Sequence, residues 1–203
     1  MLNDLQFILF GANDACVPLP TNHQHVPLDR YKTNLAGIIT HPNIAAHKSK
    51  IFLVTPPPLD QIRLTELDLA IGHKTATRHA KVSAAYSQAV REVAAEQGVG
   101  LVDLWKALMD TAITKTPGFD PAKGPSLGDP EGGVRGHLKS LLPDGLHLSA
   151  ESYRIFYDLV QPLVGSEWAG TPEEQKVGYV LPEWREAPWL DEDAHLADPA
   201  HQL

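Results

Sequence analysis

The chain has 203 residues and is 43% hydrophobic, enough to bury one sizeable core within the usual length of a single domain. Seventeen Lys and Arg stand against 25 Asp and Glu, a formal charge of −8 with no basic cluster, which argues against a phosphate-neutralising nucleic-acid surface. No apolar run approaches the roughly 20 residues needed to span a bilayer, and the single cysteine, Cys16, leaves no intrachain disulfide. That cysteine usage predicts a reducing, cytoplasmic setting.

In chain order, Leu5 to Phe10 is an apolar run that reads as a buried strand rather than a signal segment, because it is short and ends directly in Gly11-Ala12-Asn13-Asp14. Leu28, Tyr31, Leu35, Ile38 and Ile39 then recur at helical spacing after Pro27, and the pattern stops at His41-Pro42. Ile51 to Thr55 is a second strand, ended by Pro56-Pro57-Pro58. Val82, Tyr86, Ala89, Val90 and Val93 mark an amphipathic helix closed by Gly98, a residue suited to a left-handed cap. Val99 to Val102 is a third strand with Asp103 at its end.

Residues 114–142 are dense in Gly, Pro and Lys and offer little to bury, so they read as a mobile loop or lid. Tyr153, Phe156, Tyr157, Val160 and Val164 stripe a last helix with Ser149 as its N-cap. The predicted domain covers residues 1–165. Residues 166–203 form an acidic, Pro-containing tail with Trp168, Trp184 and Trp189, expected to pack back in part and to be disordered at its end. Strands alternating with helices predict a parallel sheet with helices on both faces.

Two strings carry chemistry. Gly11 and Asn13 follow the first strand, at the carboxyl end where open parallel sheets present their sites. Asp144-Gly145-Leu146-His147-Leu148-Ser149 sets a carboxylate three residues before an imidazole, a spacing that lets Asp144 orient His147 as a general base.

In these strings, and also in Val26-Pro27-Leu28, Tyr86-Ser87-Gln88-Ala89 and Tyr179-Val180-Leu181-Pro182-Glu183-Trp184-Arg185, the chain resembles the SGNH (GDSL-type) hydrolases, and among them the isoamyl-acetate-hydrolysing esterases. The likeness runs from Leu5 to about Trp184. It implies a flavodoxin-like α/β/α fold of three layers, no cofactor, and a serine esterase acting on short-chain esters, with Asp144 and His147 catalytic and the Asn13 side chain in the oxyanion hole. One departure stands out. Those enzymes open with a strand ending in Gly-Asp-Ser and a second block that supplies an oxyanion amide. None of the eight serines here follows Gly-Asp after an apolar strand. The expectation is a truncated esterase that lacks the first two strands and the nucleophile, and is inactive as written; the alternatives are a dead paralogue or a binding module that reuses the fold.

Each candidate also has a plainer reading. Asn13 could be only a turn residue, Asp144 only a charge near a helix start, and His147 only a surface histidine. Gly11 is best explained by close backbone approach and Asp14 by local hydrogen bonding. The ten histidines do not make a metal site, since His23-Gln24-His25 and the pair His73 and His79 lack ligand spacing. Cys16 reads as a small buried hydrophobe rather than a replacement nucleophile. The predicted partner is a small-molecule ester.

Overall fold

The computed structural model describes residues 5–19 and 24–164. Its centre is a parallel sheet of three strands in the order β1 (Leu5–Leu9), β2 (Lys50–Val54), β3 (Gly100–Val102), with Leu5 opposite Lys50 and Val54 opposite Val102. Among the described residues β1 is an edge strand, paired on one side only. Alternation along the strands sends successive side chains to opposite faces, and each face has its own core. Phe52, Val54 and Val102, joined by Leu5 and Phe7, meet Leu104, Leu108, Leu138 and Leu141 on one side. Leu53, with Ile8 and Ile51, meets Tyr31, Leu35, Tyr86, Val90 and Val93 on the other.

The helices build the outer layers. α1 (Leu28–Thr40) and α4 (Ala80–Gln97) cover the Leu53 face. Buried Tyr86, Ala89, Val90 and Val93 make the stripe legible in the sequence, and Gly98 closes α4 in the left-handed region at φ 64°. The opposite face carries α5 (Leu104–Thr114), α6 (Leu138–Leu141) and α7 (Ala150–Val164). Ser149 caps α7, its Oγ accepting from the Ser152 N–H at 3.3 Å. The molecule is therefore an α/β domain with helices on both faces of a parallel sheet.

Besides α5 and α6, two further helices escape the sequence reading. α2 (Pro42–Ala46) begins where the α1 pattern stops. α3 (Gln61–Ala70) buries only Leu64 and Asp68, while Leu69 and Ile71 stand in solvent, so its apolar residues show no clean helical stripe. Its start is set instead by Asp60, whose carboxylate accepts from the Arg63 N–H. α5 starts the same way, with Asp103 accepting from the Lys106 N–H.

Two expectations need correction. Segment 114–142 is no loose lid: Leu127, Leu138, Leu141 and Leu142 are among the most buried side chains, and α6 lies within it. Gly128 and Gly136 allow tight packing; a Cβ on Gly128 would sit 2.8 Å from the Leu59 carbonyl oxygen. On α7, Tyr153 and Tyr157 are exposed, and the packed face is Ile155, Phe156, Leu159, Val160 and Leu163. The two tyrosines lie on its flank. The expectations for residues 166–203, including Trp168, Trp184 and Trp189, lie outside the described residues, and among the described residues no helix is long and apolar enough to cross a membrane.

Candidate active site

The chain leaves β1 at Leu9 and folds back at once. The Gly11 N–H donates to Asp14 Oδ2 at 3.1 Å, the Ala15 N–H to the Gly11 carbonyl, and the Cys16 N–H to the Asn13 carbonyl. Gly11 sits at φ 115° with the buried Tyr31 ring against it; a Cβ would lie 2.7 Å from the Tyr31 hydroxyl, which donates to the Phe10 carbonyl at 3.0 Å. Glycine is required there on both counts. Asp14 thus shapes the loop that displays Asn13.

The second string forms a tight turn in front of α7. Asp144 Oδ1 accepts from the backbone N–H groups of Leu146 (2.9 Å) and His147 (2.8 Å), and Asp144 Oδ2 lies 2.5 Å from His147 Nδ1. Burial alone would raise the Asp144 pKa, but the hydrogen bonds from the His147 ring and the two amides outweigh it and hold the carboxyl down at about 2. At any ordinary pH Asp144 is an anion and only accepts. The proton between the two groups therefore sits on His147 Nδ1, and in the neutral imidazole the lone pair is on Nε2.

The turn is held from below by a group that the sequence reading passed over. Asp60 is fully buried; its backbone N–H donates to the Gly145 carbonyl at 3.0 Å and its Oδ2 accepts from Arg135 Nε at 2.6 Å. Gly145 adopts φ 89°, and a Cβ there would lie 2.6 Å from the Asp60 carbonyl oxygen. Asp60 follows a proline run and ends in an N-cap, a pattern that marks a helix start but gives no sign of contact with residue 145.

Both strings open on one cleft of about 370 Å³, bordered by Leu9 to Asp14, Pro57, Leu146, His147, Leu148 and Tyr153. Asn13 and His147 line it together despite their separation in sequence. No Ser, Thr, Cys or Lys is among the lining residues. Ser166 lies outside the described residues, and several of the other serines are engaged elsewhere. Ser83 and Ser87 donate to the carbonyls of Pro57 and Pro56, fixing the rigid exit of β2, and Ser152 donates to the Leu141 carbonyl. Cys16 is buried outside the cleft, and burial raises its thiol pKa, the reverse of nucleophile activation. Among the described residues, no three His, Cys, Asp or Glu side chains gather as a metal ion would require.

The turn after β1 that carries Asn13 and the Asp144–His147 pair before α7 thus border one cleft at the carboxyl end of a parallel sheet. The GDSL-like lipase/acylhydrolase family matches residues 3–155. The chain belongs to that family. Its relatives in the GDSL-like group include the human isoamyl acetate-hydrolyzing esterase 1 homolog, 26% identical over 180 residues that make up 88% of this chain and 60% of that protein. A GDSL esterase/lipase of Arabidopsis thaliana is 29% identical over 82% of this chain and 61% of its own length. The Saccharomyces cerevisiae isoamyl acetate-hydrolyzing esterase is 25% identical over 93% and 67%. Among solved structures, an acetylxylan esterase of Geobacillus stearothermophilus shares the fold at a TM-score of 0.51 and 21% identity, over 81% of this chain and 61% of that one. The chain thus spans about 60% of the length of the first relatives it matches.

Proposed function

We propose that this cleft supplies the acid–base and oxyanion half of a serine-type ester hydrolysis, with short-chain esters of simple alcohols as the substrate class. The observation that carries the reading is the Asp144–His147 pair, whose His147 borders the same cleft as Asn13. Two further facts support it: the apolar border of Leu9, Phe10, Leu146 and Leu148 suits small alkyl groups, and relatives are named for isoamyl acetate. In the proposed reaction a hydroxyl attacks the ester carbonyl, His147 Nε2 takes its proton, and the tetrahedral oxyanion receives a hydrogen bond from the Asn13 amide. His147 then gives the proton to the departing alcohol.

No serine or threonine is among the lining residues, which supports the reading that the described residues by themselves form no acyl-enzyme. That same fact favours a second reading, a binding module on an esterase fold. The two separate in one experiment. The purified chain is offered p-nitrophenyl acetate with and without molar methanol, which stands in for a serine side chain, and methyl acetate and p-nitrophenolate are both measured. The ester-hydrolase reading expects no release above a His147→Ala control in water, and His147-dependent methyl acetate formation when methanol is present. His147-dependent release without methanol would mean that the chain carries its own nucleophile if the chain is found acetylated by mass, and that His147 activates water directly if it is not. Methyl acetate formation that ignores His147 would remove the acid–base reading and leave the binding module.

A further inference from the structure

Asn13 is exposed, and an exposed amide is free to turn over and present either its oxygen or its NH2 to the cleft. Arg78, in the loop between α3 and α4, removes that freedom. Its Nη2 donates to Asn13 Oδ1 at 2.9 Å and its Nε donates to the Ala12 carbonyl at 3.1 Å. A guanidinium carries donors and no acceptor, so the amide atom it meets must be the oxygen, and the NH2 is left on the other side. Arg78 is itself anchored from three directions. Its backbone forms an antiparallel bridge with Cys16, the neighbouring Thr77 carbonyl accepts from the Val17 N–H at 2.8 Å, and the Thr77 N–H donates to the buried Asp68 carboxylate at 2.6 Å. Asp68 belongs to α3, so this segment ties the loop carrying Asn13 to the body of the domain.

We infer that Arg78 is a positioning residue that turns the Asn13 NH2 toward the cleft and, by drawing charge onto the amide oxygen, strengthens the N–H as a donor. Arg78 borders a small neighbouring pocket with Pro58, Leu59 and Ser83 and is absent from the lining of the main cleft, so it acts through Asn13 rather than on substrate. This role rests on the oxyanion reading of Asn13, and two measurements keep them apart.

The first is nitrogen-15 relaxation of the Asn13 side-chain amide in the full chain. It should be ordered in the wild type, near the ~0.85 of rigid groups, and fall below about 0.6 in Arg78→Leu. Arg78→Lys, which retains one charged donor, should recover part of that order. The second is methyl acetate formation in the methanol assay, expected to fall about tenfold in Arg78→Leu with the His147 Nδ1 proton signal unchanged. Asn13→Asp keeps a partner for Arg78 but loses the donor; transfer should drop about a hundredfold, the scale of one lost oxyanion donor. An Asn13 amide equally ordered without the Arg78 side chain would overturn the positioning role. So would a loosened amide with undiminished transfer. Absence of transfer in the wild type would instead strike the oxyanion reading, and the relaxation comparison would still decide on Arg78.

Discussion

Asp144 does two jobs with its two oxygens: Oδ1 caps the turn through two amides, and Oδ2 fixes the His147 ring. Because its folded pKa of about 2 lies below the ordinary 3.8, it contributes stability that is fully present above pH 3.8 and is lost as pH falls through about 2. Asp144→Asn is expected to lower stability at pH 7 by no more than ~1 kcal/mol, since a carboxylate 41% exposed is heavily screened. Denaturant melts of the two proteins should converge as pH drops from 4 toward 2; a gap that persists at pH 2 would count against the anionic cap. The same substitution should abolish the low-field proton signal of His147 Nδ1.

At the scale of elements, the site depends on how the start of α3 meets the turn before α7. Gly145 packs its Cα against the Asp60 carbonyl and the Leu64 N–H with no room for a side chain. Gly145→Ala combines that clash with a positive φ, and a loss of ~2–4 kcal/mol in urea unfolding is expected. Asp60→Ala removes the helix cap and leaves Arg135 without its carboxylate; a loss of about 3 kcal/mol follows from breaking a buried pair. A loss under 0.5 kcal/mol in either variant would refute this account of the turn. These contacts lie beyond sequence reading, because Asp60 and Gly145 are joined only by the packing of α3 beneath the turn.

Across the whole molecule, the described sheet ends on two edge strands, β1 and β3. β1 pairs only with β2, and its last residue, Leu9, and the following Phe10 are 39% and 55% exposed. An apolar edge with unpaired backbone groups recruits other strands. The chain should therefore self-associate in light scattering as concentration rises, and a lysine at Phe10 should shift the onset to higher concentration. A monodisperse monomer at high concentration would contradict the exposed-edge account.

Local chemistry determined much of this protein from the sequence alone. Apolar runs set β1, β2 and β3; the stripe on α4 and its Gly98 cap follow from side-chain period and backbone freedom; and Asp144 is within reach of His147 because three residues of a tight turn separate them. The family pattern likewise rests on short contiguous strings. What the sequence read wrongly is non-local: segment 114–142 looks unburied because its four leucines are set among Gly, Pro and Lys, yet all of Leu127, Leu138, Leu141 and Leu142 enter one core. Only the tertiary structure decided that Arg78 reaches Asn13 and that Asp60 carries Gly145, whereas a shared cleft for Asn13 and His147 is what the family resemblance already implied. Those pairings join side chains and carbonyls far apart in the chain, and nothing in the identity of either partner encodes the other until the sheet has brought its strand ends together.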